Sequence, residues 1–182
     1  MKALLFVSFI LIQTISLSFQ SGPTVPNGKY IIANKQNCDV FDIEKASKEC
    51  GANLIIFDKH GKENQQFVVC NIYGDYVTLT NVNSKLALTV ENKKLGSKIE
   101  QTDVKGYPNA YQLFKFIEVC DGYYLIYNKA SGYYINGNSC ARTQFGYQAA
   151  IEADKPCTGD IAHLLFYLVP VCPTAPNGEA TL

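Results

Sequence analysis

One short theme occurs three times in this chain. Gly28-Lys29-Tyr30-Ile31-Ile32-Ala33-Asn34 recurs as Gly74-Asp75-Tyr76-Val77-Thr78-Leu79-Thr80-Asn81 and again as Gly122-Tyr123-Tyr124-Leu125-Ile126-Tyr127-Asn128, with starts 46 and 48 residues apart. Each unit then closes on a matching segment: Asn64-Gln65-Gln66-Phe67-Val68-Val69-Cys70, Tyr111-Gln112-Leu113-Phe114-Lys115-Phe116 and Leu164-Leu165-Phe166-Tyr167-Leu168. Self-similarity of this kind means that the fold is assembled from like parts. The three units fill Gly28 to about Val171.

Within a unit the pieces are short, rich in Val, Ile, Tyr, Phe and Thr, and separated by Gly, Asn, Asp, Lys and Ser, which is strand and turn chemistry. In the first unit strands are expected near Lys29 to Ala33, Val40 to Ile43, Leu54 to Asp58 and Gln65 to Cys70. Four per unit gives about twelve. A helix over Asp42 to Cys50 competes, because Glu44, Lys45, Ala46 and Lys48 are fair helix formers. A hairpin turn around Ala46-Ser47-Lys48 is preferred, with Asn83-Ser84-Lys85 and Lys129-Ala130-Ser131-Gly132 taken as its counterparts. No unit of this length buries an apolar face alone, so the three must share one core about a pseudo-threefold axis. A propeller needs at least four blades, and solenoid units are usually shorter. What remains is an all-β fold, the β-trefoil: three pseudo-threefold repeats of four strands, six strands closing a barrel and three hairpins covering it. Its core is expected to draw on Phe67, Phe114 and Phe166 and on Tyr30, Tyr76 and Tyr124.

The segment ahead of the repeats reads as an address. Lys2, the apolar run Ala3 to Ile12 and Ser16-Leu17-Ser18 have the layout of a signal peptide with cleavage near Ser18, which predicts secretion to the extracellular space. The expected organisation is a signal peptide over 1–18, a linker over 19–27, the trefoil over 28–171 (repeats about 28–72, 73–120 and 121–171) and a tail over 172–182. Pro23-Thr24-Val25-Pro26-Asn27-Gly28 and Pro173-Thr174-Ala175-Pro176-Asn177-Gly178 flank the repeats with nearly the same motif. The 16 Lys+Arg against 16 Asp+Glu give no cationic field for nucleic acid, and after Gln20 no apolar run approaches a bilayer span. The chain is read as neither a nucleic-acid binder nor membrane-spanning.

Seven cysteines in an exported protein predict disulfides. The odd count leaves at least one over. Cys38 with Cys50 and Cys140 with Cys157 close short loops and are the preferred bridges. No C-x2-C or H-x3-H spacing offers a metal site, no cofactor motif is present, and His60 and His163 are the only histidines to activate a cysteine. No carboxylate pair, triad or metal set emerges from spacing, so an enzyme is not expected.

The opening G-x-Y-x-I-x-N, the Ser-Gly or Ser-Lys turn before a short strand, and the ending N-Q-x-aromatic resemble the ricin B-type β-trefoil lectins, whose repeats typically end in Q-x-W; here Phe stands for Trp in all three. The resemblance implies carbohydrate binding, with glycans or glycoproteins as partners. It also implies a site within a single repeat, made of an acid on the second strand, an aromatic platform at the end of the third, and an Asn-Gln pair opening the fourth. In the first repeat these are Asp42, Phe57, Asn64 and Gln65, with Lys59 and His60 as possible rim residues. The second repeat offers Thr89, Thr102, Tyr111 and Gln112, and the third Asn136, Asp154, His163 and Leu164, so one site is expected.

These residue types suit a sugar. A ring such as Phe57 covers the C–H face of a pyranose, a carboxylate accepts two neighbouring hydroxyl protons, and an amide offers both donor and acceptor. A plainer expectation stands beside each role: Asp42 as a turn or edge-strand acid, Phe57 as core between Leu54 and Ile56, Asn64 and Gln65 as partners for loop backbone, and His60 as a solvated loop residue. Two other functions stay open for such a fold: a protease inhibitor acting through an exposed loop, with Cys140 to Cys157 and the sole arginine, Arg142, as the place to look, and an extracellular interaction protein that has lost sugar binding.

Overall fold

The computed structural model describes residues 25–104, 106–137 and 161–172, and the backbone of 142–143, 146–148 and 150–152. The expected signal peptide, most of the 19–27 linker, Cys140, Cys157, Asp154, the side chain of Arg142 and nearly all of the 172–182 tail lie outside it.

The first repeat runs through β1 (Gly28–Asn34), β2 (Val40–Ile43), β3 (Leu54–Phe57) and β4 (Phe67–Tyr73). The second holds β5 (Tyr76–Asn81), β6 (Ala87–Val90), β7 (Ile99–Thr102) and β8 (Phe114–Cys120). The third holds β9 (Tyr123–Asn128), β10 (Tyr134–Asn136), β11 (Arg142–Thr143), β12 (Gly146–Gln148), β13 (Ala150–Glu152) and β14 (Phe166–Pro170). Antiparallel pairing runs β1–β4, β4–β5, β5–β8, β8–β9, β9–β14 and β14–β1, which closes a six-stranded barrel. The hairpins β2–β3, β6–β7 and β10–β13 complete the three lobes. The fold is the β-trefoil anticipated from the repeats. The two strands beyond the expected twelve, β11 and β12, form an additional hairpin of the third repeat, and β12 pairs with the outer edge of β3.

A 3-10 turn opens the last strand of each repeat: Glu63–Gln65, Ala110–Gln112 and Ala162–Leu164. Gln65, expected in a strand, therefore sits in a turn. At the end of the first strand of each repeat stands a fully buried asparagine, Asn34, Asn81 or Asn128, 47 residues apart. Asn81 Nδ2 donates to the carbonyls of Asn64 and Gln66, Asn128 Nδ2 to those of Tyr111 and Leu113, and Asn34 Nδ2 to those of His163 and Leu165. Each side-chain oxygen accepts from the amide two residues on, in Gln36, Asn83 or Ala130. Each asparagine thus ties the turn of one repeat to the start of the next, and the third ties back to the first.

The core is one cluster along the pseudo-axis. Phe67, Phe114 and Phe166 are fully buried, as are Ile32 and Leu79 with Ile126, and Phe41 and Leu88 with Ile135. The repeat is 47 residues for Ile32, Leu79 and Ile126 and for Phe41, Leu88 and Ile135, with Phe166 set five residues further on by the longer third repeat, so Tyr30 and Tyr124 correspond to Val77 rather than to Tyr76. Val77 faces the core, while Tyr76 lies outside it, within 5.6 Å of the Tyr73 ring. In a strand, an offset of one residue exchanges the two faces. The turn equivalence also shifts: Ser47-Lys48 lies in the β2–β3 hairpin, whereas 83–85 and 129–132 join the first and second strands of their repeats, the place held by 35–38 in the first. Val25, assigned to a linker from the sequence, is buried in the core cluster, and Asn27 Oδ1 accepts from the Asn71 backbone amide.

The expected Cys38–Cys50 bridge is absent; both are exposed free thiols. Cys38 precedes β2 and Cys50 follows it, so the four-residue strand separates them by about 13 Å at ~3.3 Å per residue, well beyond the ~7 Å Cα limit for a disulfide. Short separation along the sequence concealed a long separation along the strand. Among the described residues no helix is long and apolar enough to cross a membrane.

Candidate functional site

Strand alternation builds the site. Phe41 and Ile43 of β2, and Leu54 and Ile56 of β3, point into the core, so Asp42, Ile55 and Phe57 face the other way. The register sets Asp42 opposite Ile55 and Val40 opposite Phe57. Phe57 is therefore not core: it is 37% exposed.

Asp42 is 3% exposed, and three side chains converge on it. Asn64 Nδ2 donates to Oδ1 at 2.9 Å and Gln65 Nε2 to Oδ2 at 2.8 Å, while His60 Nε2 lies 3.3 Å from Oδ2. His60 Nδ1 accepts from the Lys62 amide at 3.2 Å, which leaves the proton on Nε2 and makes it the donor to Asp42. A carboxylate has about four lone-pair sites, so acceptor capacity remains for an incoming hydroxyl. Burial pushes the Asp42 carboxyl above its ordinary value, and the bonds from Gln65, Asn64 and His60 pull it back only in part.

Gln65 also organises the loop. Its Nε2 donates to the Asp58 carbonyl, and its Oε1 accepts from the amides of His60 and Gly61 at 2.8 and 2.9 Å. Gly61 is in the left-handed region (φ 74°), where a side chain would be strained, and its carbonyl takes a bond from Gln66 Nε2. His60 is thereby held with its ring 6.3 Å from that of Phe57, edge to face.

These residues line a pocket of about 240 Å³ formed by Asp42, Lys45, Ala46, Ile55, Phe57, His60, Lys62 and Asn64. Asp42, Phe57, Asn64 and His60 stand together in it as expected. Gln65 is buried behind the acid and braces it. Lys59 is exposed and does not line the pocket. Sequence reasoning missed Ile55, Lys45, Ala46 and Lys62. Ile55 was readable from period-two alternation with Phe57, and Lys62 from its place between His60 and Asn64. Lys45 and Ala46 were not, because they enter through left-handed backbone (φ 59° and 49°) that no sequence pattern marks.

The equivalent places in the other repeats differ. In the second, Thr89 and Thr102 bond each other at 2.7 Å, and Gln112 Nε2 donates to both hydroxyls, so polar atoms are satisfied without an acid or a ring. In the third, the register pairs Tyr134 with Glu152 as Val40 pairs with Phe57, so Glu152 rather than Asp154 holds the platform position. The displacement arises because Asp42 to Asn64 and Thr89 to Tyr111 each span 22 residues, whereas Asn136 to His163 spans 27.

Among solved structures, the designed threefold-symmetric protein ThreeFoil is similar, with TM-score 0.70 and 25% identity over 79% of this chain and 99% of that one. An exo-β-1,3-galactanase from Clostridium thermocellum gives TM-score 0.70 and 26% identity over 82% of this chain, which matches 31% of the enzyme's length. The Macrolepiota procera ricin B-like lectin, solved with lactose, shares the fold at TM-score 0.62 and 18% identity over 81% of this chain and 99% of its own. No curated protein matches the sequence. The model of the ricin-type beta-trefoil lectin domain-like family matches residues 16–107, half of the chain. The chain belongs to the ricin-type β-trefoil lectin domain-like family.

Proposed function

We propose that this protein is a secreted carbohydrate-binding protein that holds one sugar ring of a glycan or glycoprotein in the pocket of its first repeat. The observation that carries the reading is the convergence of a buried, hydrogen-bonded carboxylate, an amide and a half-exposed aromatic ring on one pocket, those of Asp42, Asn64 and Phe57. Phe57 covers the C–H face of the ring, Asp42 accepts its hydroxyl protons, and Asn64, oriented by its bond to Asp42, adds a further polar contact. Family membership and the lactose-bound relative support the same chemistry. Export is supported by the leader-like composition of residues 1–18.

We read the site as binding without catalysis. Its lining carries one carboxylate, whereas glycoside hydrolysis ordinarily uses two. A shallow pocket with one stacked ring and three or four polar bonds predicts weak affinity, roughly millimolar to tens of micromolar.

The test is a glycan array with the intact protein and with Asp42→Asn and Phe57→Ala. Each variant is expected to lose at least tenfold in binding while remaining folded by circular dichroism. Binding that survives both substitutions removes this site.

A further inference from the structure

The pocket has two chemically different sides. Asn64, Gln65 and His60, which donate to Asp42, all come from the loop and turn between β3 and β4. Across the hairpin from Asp42 the register places Ile55, and two residues on, on the same face of β3, stands Phe57. Ile55 points away from the interior and belongs to none of the apolar core clusters of the described residues, yet it is only 2% exposed. The backbone of Gln148 in β12 pairs along its outer edge. Its side chain forms the pocket wall beside the acid, where Ala46 joins it.

Ala46 is held there against its own backbone preference. It and Lys45 both adopt the left-handed region (φ 49° and 59°), where glycine or asparagine is at ease and other residues are strained. Glycine at 46 would relieve that strain but would remove a methyl group from the wall. The Ala46 carbonyl accepts from Asn83 Nδ2 at 2.9 Å, so what Ala46 offers a ligand is its methyl group. Lys45, which also lines the pocket, already has a partner of its own. A sugar hydroxyl turned toward Ile55 and Ala46 gives up water and finds neither donor nor acceptor in their side chains, whereas a methyl group in the same place gains contact and forfeits no hydrogen bond.

We propose that the ring held in this pocket carries a methyl group, on an acetamido substituent or at a deoxygenated carbon, and that Ile55 and Ala46 select it. This rests on the sugar-binding reading above and deepens it. Phe57 covers the face of the ring, Asp42 and Asn64 engage its hydroxyl rim, and the methyl group is directed to the Ile55 side. A fully hydroxylated ring engages only the first two sets of contacts. The same reading accounts for an isoleucine that is buried outside the core and for an alanine where glycine would be less strained.

The experiment titrates matched hexoses into the intact protein by calorimetry: a parent sugar, its 6-deoxy form, its 2-acetamido form and its 2-formamido form, in both the galacto and the gluco series. The formamido sugar keeps the amide and lacks the methyl group. The expected result is that the acetamido sugar binds about fourfold tighter than the formamido, or the 6-deoxy sugar about fourfold tighter than the parent, the effect of one buried methyl group. Whichever pair separates identifies the source of the methyl group. Ala46→Gly and Ile55→Thr are each expected to reduce that ratio and together to bring it close to one. Ala46→Gly is expected to leave the melting midpoint unchanged or to raise it, because glycine suits the left-handed backbone. It lies in an exposed turn, so it carries the test alone should Ile55→Thr unfold. Methyl-bearing sugars that bind no tighter than their counterparts overturn the selection, and the sugar site still stands if all of them weaken in Asp42→Asn. A ratio unchanged in both wall variants puts the methyl group elsewhere and overturns the proposal. Absence of binding by every sugar tested overturns the sugar-binding reading, and this inference with it.

Discussion

Asp42 carries two opposing linkages in one carboxyl. Its folded-state pKa lies above the ordinary value because burial disfavours the charge. The native state therefore binds the proton more readily than the unfolded chain, so stability falls as pH rises from the usual carboxylate range near about 4 through the raised value, and is level above it. On the proposed reading, sugar binding needs the ionised acceptor and is expected to rise across the same window. Calorimetric melting and ligand titration across mildly acidic pH are expected to move in opposite directions, and Asp42→Asn to flatten both. Asp42→Ala is a different change: it strands the buried amide donors of Asn64 and Gln65, and urea unfolding is expected to reveal a loss of about 2–4 kcal/mol. At this scale the sequence was readable where a residue's placement depends on residue type and strand parity, as for the meeting of Asp42, Phe57 and Asn64 in one pocket. It was unreadable where backbone conformation delivers the side chain, as for Lys45.

Among the elements, the turn-locking asparagines are the strongest departure from what composition alone suggests about stability. Each of Asn34, Asn81 and Asn128 is fully buried and makes the same bonds between successive repeats, so each Asn→Ala substitution is expected to cost about 2–4 kcal/mol in urea unfolding, similarly at all three. A marked inequality would mean that the repeats are not energetically equivalent. The asparagines were visible in the sequence as the last letter of the recurring opening, but they read as turn formers. Their partners lie in the preceding repeat, 15 or 17 residues back for Asn81, and across the whole chain for Asn34. The second unit's strand was set one residue out because the match was anchored on Gly74 and Tyr76. Val77→Ala is accordingly expected to cost about 1–3 kcal/mol, and Tyr76→Ala less than about 1, by the same measurement.

The barrel is closed by its own ends, with Tyr30 to Asn34 of β1 zipped against Phe166 to Pro170 of β14. Without the last strand the barrel stays open between β1 and β9, so deletion from Phe166 onward is expected to abolish the cooperative thermal transition rather than lower its midpoint. The threefold architecture was legible because its signal is repeated three times and does not depend on any one position. The covalent reading was not, since loop length says nothing about which end of a strand a thiol occupies. With Cys38 and Cys50 free and exposed, Cys38→Ser/Cys50→Ser is expected to change stability by no more than about 0.5 kcal/mol, and thiol titration of the folded protein to count both.

The hairpin that carries the pocket has both margins occupied, β2 along one side of β3 and β12 of the third repeat along the other. An unclaimed margin beside a ligand pocket is an invitation to a stray strand from another molecule. By lending its extra residues to that flank, the repeat that kept neither acid nor ring acts as a guard rail for the one that kept both.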